Sequence, residues 1–247
     1  MNCRHLLIAL LLPVLSIAQQ KDTKMYELRV YYCHPGKLDD LVKRFTDHTA
    51  ALFEKHGMTN VGYWLPVENT ENALYYVLSY PDRASRDQSW KAFMSDPVWQ
   101  AASKKSEENG KIVQRVTSTF MTATDFSPEI KNSATSAERT FELRTYYIHP
   151  QRYPEILARF RNHTLGLLEK HGATNIAYWT TVEKEGKEPT LIYMLAYPDV
   201  EAGKKTWSTF RADPDWIKVK TASEKDHPIV EKVESVVMKP MKISGIK

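Results

Sequence analysis

The sequence predicts an α+β protein: two tandem ferredoxin-like β-α-β-β-α-β domains packed sheet to sheet as a pseudo-dimeric α+β barrel within one chain. Three observations lead there. The chain repeats itself over about a hundred residues, the hydrophobic period switches between strand and helix values inside each copy, and each copy leaves one sheet face that its own helices cannot cover.

The repeat is read directly. Tyr26-Glu-Leu-Arg-Val-Tyr-Tyr-Cys-His-Pro returns as Phe141-Glu-Leu-Arg-Thr-Tyr-Tyr-Ile-His-Pro, 115 positions later. Arg44-Phe45-x-x-His48-Thr49 returns as Arg159-Phe160-x-x-His163-Thr164, and Tyr63-Trp64 as Tyr178-Trp179. Further on, Asp96-Pro97-x-Trp99 pairs with Asp213-Pro214-x-Trp216 at an offset of 117, which places a two-residue insertion in the loop around Glu185. Solenoid repeats are shorter, about 20–50 residues, so these are two domains. They are set at residues 24–122 and 139–239, with a linker rich in Ser, Thr and Ala at 123–138.

Within the first copy, Tyr26, Leu28 and Val30 alternate with Glu27, Arg29 and Tyr31, a strand that His34-Pro35-Gly36 ends. Leu38, Leu41, Val42, Phe45, Thr49 and Leu52 follow at helical spacing, and Gly57 suits the left-handed cap of that helix. Residues 59–65 and 73–80 are aromatic and β-branched runs around a polar turn, a hairpin. Asp82 caps a second helix that restarts at Asp96-Pro97, and residues 112–121 close the unit as a fourth strand. The uncovered sheet face requires either the twin domain or, in a homodimer, a partner chain.

Composition narrows the class. Of 247 residues, 42% are hydrophobic and 26% charged, which excludes a disordered chain. Thirty-four Lys and Arg against 30 Asp and Glu leave +4, and the basic residues sit beside acidic ones, so nucleic acid is not an expected partner. Residues 1–18 read as a signal peptide, with a short basic start, an apolar run of about thirteen residues, and small residues before a cut after Ala18. A spanning helix needs about twenty residues. The expectation is a secreted or periplasmic protein with no transmembrane segment after cleavage. Cys3 leaves with that segment, so no intramolecular disulfide is expected, and Ile148 opposite Cys33 makes that thiol a small apolar core group.

Taken together, Tyr26-Glu-Leu-Arg-x-Tyr, His34-Pro-Gly-Lys, the Phe45-x-x-His48 helix, Glu54-Lys55-His56-Gly57, Gly62-Tyr63-Trp64, Asp96-Pro97-x-Trp99 and their second copies resemble the NIPSNAP family of the dimeric α/β-barrel superfamily. The resemblance covers nearly all of residues 24–238 and implies the barrel fold in tandem. It implies no established reaction. The second copy departs from it at Gln151 and Ala177.

Recurrence in both copies selects the candidate cavity residues Arg29, Tyr31, His48, Tyr63, Trp64, Arg144, Tyr146, His163, Tyr178 and Trp179. His48 and His163 follow a core Phe by three positions, so a regular helix turns them toward the sheet, as satisfied buried histidines or as ligand-contacting bases. Arg29 and Arg144, flanked on the same strand face by Glu and Tyr, are placed at the sheet-to-sheet interface, in a paired network or an anion pocket. Tyr63-Trp64 and Tyr178-Trp179 point to opposite faces, one packing and one free to line a cavity. His56 and His171, just before Gly, complement the helix dipole.

No metal-ligand spacing, phosphate loop or nucleophile motif occurs, and nine glycines leave little room for one, so no cofactor is expected. The expected role is a binding module for an unidentified small molecule or protein. The alternative is a cofactor-independent monooxygenase or isomerase with His48 or His163 as base and Arg29, Tyr31 or Trp64 as positioning groups. Haem binding through those histidines ranks third.

Overall fold

β1 (Met25–Cys33) is buried on both faces along most of its length, and the architecture follows from what covers each face. A computed structural model describes residues 22–132, 138–182 and 189–247. The expected signal peptide, the middle of the linker and the loop around Glu185 lie outside the described residues.

After β1 come α1 (Leu38–Arg44), a π-helical turn (Phe45–Thr49), α2 (Ala50–Lys55), β2 (Thr59–Pro66), β3 (Ala73–Tyr80), α3 (Arg83–Ser95), α4 (Pro97–Ser106) and β4 (Val113–Ala123). The second copy repeats the order: β5 (Thr140–Ile148), α5 (Tyr153–Arg159), a second π-helical turn (Phe160–Thr164), α6 (Leu165–Lys170), β6 (Thr174–Thr181), β7 (Leu191–Tyr197), α7 (Val200–Ala212), α8 (Pro214–Ser223) and β8 (Val230–Pro240). The predicted punctuation is in place. Gly57 (φ +78°) and Gly172 (φ +96°) terminate α2 and α6 in the left-handed region. Asp82 and Asp96 accept hydrogen bonds from the backbone N–H groups of Ser85 and Val98, capping α3 and α4.

Each copy forms an antiparallel four-stranded sheet, β4-β1-β3-β2 and β8-β5-β7-β6. The two sheets do more than face one another: β2 pairs with β8 from Trp64 opposite Pro240, and β4 pairs with β6 from Met121 opposite Thr181, closing an eight-stranded antiparallel barrel. Every strand then has two neighbours, which removes the exposed edges at which separate sheets would aggregate. The cover is the twin repeat of the same chain.

The barrel interior is one apolar cluster drawn from both repeats, with Tyr26, Leu28, Trp64 and Val77 meeting Phe141, Leu143, Trp179 and Met194. Two further clusters lie outside the barrel, each between one repeat's helices and its sheet. The described part of the expected linker is built into this frame. Ala123 belongs to β4, Thr124 donates its N–H to the Tyr178 carbonyl at 2.9 Å, and Ser127 Oγ accepts from the Tyr178 N–H at 3.0 Å. The C-terminal tail does the same to β2: Met241 donates to the Tyr63 carbonyl at 2.9 Å and Ser244 Oγ accepts from the Tyr63 N–H at 3.0 Å. Ile130 and Ile246 then pack against the barrel interior.

Candidate ligand pockets between helices and sheet

Arg29 and Tyr31 do not face the sheet-to-sheet interface. Tyr26 and Leu28 enter the barrel, and the alternate set Glu27, Arg29 and Tyr31 points to the helices. The same correction holds for Arg144 and Tyr146, since Phe141 and Leu143 are the barrel residues of β5. The physical reason is that large apolar side chains fill a dry, closed barrel, whereas an ion pair needs polar partners that only the helical layer and sheet margin supply.

In the first repeat that pairing is complete. Arg29 donates to Glu27 at 2.6 Å, through Nε to the Tyr76 hydroxyl at 2.8 Å, and to the Tyr31 hydroxyl at 3.4 Å. Glu27 is fully buried and also accepts from Arg86 of α3 at 2.8 and 3.0 Å, from Ser118 at 2.6 Å and from Tyr80 at 3.1 Å. Burial alone would raise its carboxyl, but the hydrogen bonds from Arg86 and Ser118 and the charge of Arg29 outweigh that and hold it down at about 2. Arg29 also lies over the Trp90 ring, 4.4 Å from its centre.

The second repeat has the same parts arranged differently. Gly203 stands where α3 carries Arg86, so among the described residues Glu142 has one guanidinium partner, Arg144 at 2.6 Å. Trp207 takes up the vacated oxygen, donating its indole N–H to Glu142 at 2.6 Å, whereas Trp90 donates to Tyr80 at 2.9 Å. Tyr197 and Ser235 complete the set at 2.8 and 2.6 Å. The Glu142 carboxyl is still lowered: burial opposes, and Arg144, Ser235 and Trp207 prevail. Arg144 Nε and the Tyr193 hydroxyl are buried without a hydrogen-bond partner among the described residues. Burial pushes the Tyr193 phenol well above its ordinary range, keeping it a neutral donor.

His48 and His163 are exposed, not turned toward the sheet. The π-helical turns are the cause. In a regular helix the third and fourth residues after Phe45 straddle its face. A π turn advances less per residue, so Thr49 comes back beneath Phe45 and donates to the Arg44 carbonyl five residues earlier at 3.1 Å, while His48 falls outside. Thr164 repeats the bond to Arg159 at 3.1 Å. Each histidine lines an open outer groove between its first helix and α4 or α8, of about 790 and 860 Å³. Neither histidine therefore points into the cavity between helix and sheet in which the sequence places it. His56 and His171 do more than complement a dipole: their Nε2 atoms lie 2.7 Å from Asp96 and Asp213, the carboxylates that cap α4 and α8.

Tyr63 and Tyr178 pack toward the helices, and Trp64 and Trp179 toward the barrel, so each pair splits as expected and all four are buried. Of the ten predicted residues, Tyr31 and Tyr146 line cavities between helices and sheet, with Arg29 and Arg144 stacked alongside through Trp90 and Trp207. The first cavity, about 220 Å³, is bounded by Tyr31, Arg44, Phe45, Trp90 and Trp99. The second, about 330 Å³, is bounded by Tyr146, Arg159, Phe160, Trp207 and Trp216 and reaches Tyr193.

Arg44 and Arg159 had not been singled out. They are buried, stack on Trp99 and Trp216 at 5.4 Å and pair with Glu107 and Glu224 at 3.4 and 2.8 Å, leaving each Nε without a partner among the described residues. Their recurrence beside Phe45 and Phe160 was the available signal, as was that of Tyr76 and Tyr193 directly across the sheet from Arg29 and Arg144. Among the described residues, no three His, Cys, Asp or Glu side chains converge to hold a metal ion. The pockets offer guanidinium and phenol donors set among aromatic walls, an arrangement that holds an oxygen acceptor on a flat body.

Solved structures of the same shape span almost the whole chain. An anthrone oxidase-like protein aligns over 92% of this chain and 95% of its own at 11% identity, with a TM-score of 0.59. A candidate monooxygenase of Fusobacterium nucleatum subsp. nucleatum aligns over 90% and 94% at 11% identity, TM-score 0.58. Another from Lactobacillus acidophilus aligns over 89% and 94% at 7% identity, TM-score 0.56. At such identities the likeness is one of fold. A comparison with curated proteins gives no match. The NIPSNAP family model matches residues 26–128 and again 141–245, one match for each half of the barrel. With both repeats matched and the barrel closed between them, the chain belongs to the NIPSNAP family.

Proposed function

We propose that this NIPSNAP chain is an exported small-molecule-binding protein, built of two ferredoxin-like halves packed sheet to sheet, whose ligand enters a pocket between helices and sheet. The observation that carries this reading is the presence of buried donors without partners among the described residues in the lining of an aromatic-walled cavity, Arg159 and Tyr193. Buried polar groups left unpaired cost about 1–3 kcal/mol each, a cost that a bound acceptor relieves. Native mass spectrometry of protein purified from its own host is expected to show an organic molecule that dissociates on denaturation. Protein that arrives empty, and that extracts of the same host neither load nor stabilise against heat, would contradict the reading.

A catalytic version, oxygenation without a cofactor, draws its support from the fold likeness to proteins described as monooxygenases. With His48 or His163 as base, it would use the outer grooves that these histidines line. Oxygen consumption on adding the recovered ligand separates the two, since a binding module consumes none. Export makes its own prediction: Edman sequencing of the protein recovered outside the cytoplasm is expected to begin at Gln19, and an intact Met1 would refute it.

A further inference from the structure

The two pockets share their parts list but not their state. In the first repeat every nitrogen of Arg29 has a partner, and its Nε closes onto the Tyr76 hydroxyl at 2.8 Å. Arg86 clamps Glu27 through two nitrogens, and the first cavity does not reach Tyr76. In the second repeat the arginine of α3 is replaced by Gly203, where a Cβ would already lie 3.0 Å from the Tyr197 ring, so no clamp can form from that position. Trp207 engages Glu142 directly, the Arg144 to Tyr193 bond is open, and the cavity is larger and extends to Tyr193. Tyr193 is fully buried, so no bulk solvent satisfies its hydroxyl.

We infer that the ligand site resides in the second repeat alone, and that it takes a flat aromatic compound bearing a carbonyl or carboxylate oxygen, received by the Tyr193 hydroxyl. The inference rests on the pocket reading above and narrows it. Phe160, Trp207 and Trp216 supply the walls for the ring. Arg144 is already neutralised by Glu142, so the site selects an oxygen acceptor in a given place more than a net charge. The first repeat is the counterpart in which the equivalent pair, Arg29 and Tyr76, is already joined.

The test uses the mature full-length chain and ligand-observed NMR with three probes: benzoate, acetophenone and toluene. Saturable binding of benzoate, acetophenone or both is expected, with toluene at least tenfold weaker, and the stronger of the first two identifies carboxylate or ketone as the preferred oxygen. Tyr193→Phe is expected to weaken the oxygenated probes about tenfold, and the matching Tyr76→Phe less than twofold. Both variants keep the ring and are checked for folding by near-UV circular dichroism. Equal losses in the two variants would overturn the assignment to the second repeat. Toluene binding as tightly as the others would overturn the oxygen acceptor. No saturable binding of either oxygenated probe would overturn the pocket reading beneath both.

Discussion

Glu27→Gln should destabilise the protein by roughly 3–5 kcal/mol at neutral pH, the usual cost of removing one partner from a buried ion pair. The substitution leaves the Arg29 and Arg86 guanidinium groups facing a neutral amide that can accept through one oxygen where the carboxylate accepted through two. The pH dependence has a definite sign. Because the folded carboxyl is held at about 2, below its ordinary 4.5, its contribution is fully present above 4.5 and is lost as the pH falls toward 2. That contribution amounts to roughly 3 kcal/mol. Urea unfolding of the wild type between pH 7 and pH 2.5 should therefore show a fall in stability that Glu27→Gln largely abolishes. Glu142→Gln, with one guanidinium partner, should cost less. A Glu27→Gln protein within about 1 kcal/mol of wild type, with an unaltered pH profile, would show that the network is dispensable.

Much of this arrangement could be read from the sequence, and the parts that could not share a cause. The tandem copies, the element order and the caps at Gly57, Asp82 and Asp96 were legible because each is local: a period, a turn residue, a repeated string. The orientation of β1 was not. Both of its faces are buried, so alternation separates Tyr26 and Leu28 from Glu27 and Arg29 without saying which set enters the barrel. The inward reading of His48 failed because helical spacing assumes a constant turn, and the π turn at Phe45–Thr49 shifts the phase from that point on. The unequal pockets were hidden because repeat matching rewards identity. The informative position is a mismatch, Arg86 against Gly203, and its meaning depends on partners that Glu27 and Glu142 find only in the fold.

Trp64→Ala and Trp179→Ala should each cost roughly 3–5 kcal/mol, as large-to-small changes in a core that cannot collapse do. Both indoles are buried inside the barrel, tilted against Phe141 and Tyr26 with ring centres 5.9 and 5.7 Å apart. Replacement by Phe should be far milder than area alone suggests. The indole N–H of each has no partner among the described residues, so Phe deletes an unsatisfied donor, worth about 1–3 kcal/mol, together with the volume. The larger consequence concerns cooperativity. Trp64 belongs to the first repeat and Phe141 to the second, and the β2–β8 and β4–β6 seams hydrogen-bond the two halves, so neither half retains its interior without the other. Calorimetry of the wild type and of Trp64→Ala should each give one transition, shifted as a whole, with calorimetric and van't Hoff enthalpies in agreement. Two transitions, with only the first repeat's shifted by Trp64→Ala, would mean that the halves fold alone and that the barrel interior is not the shared core on which the seams depend.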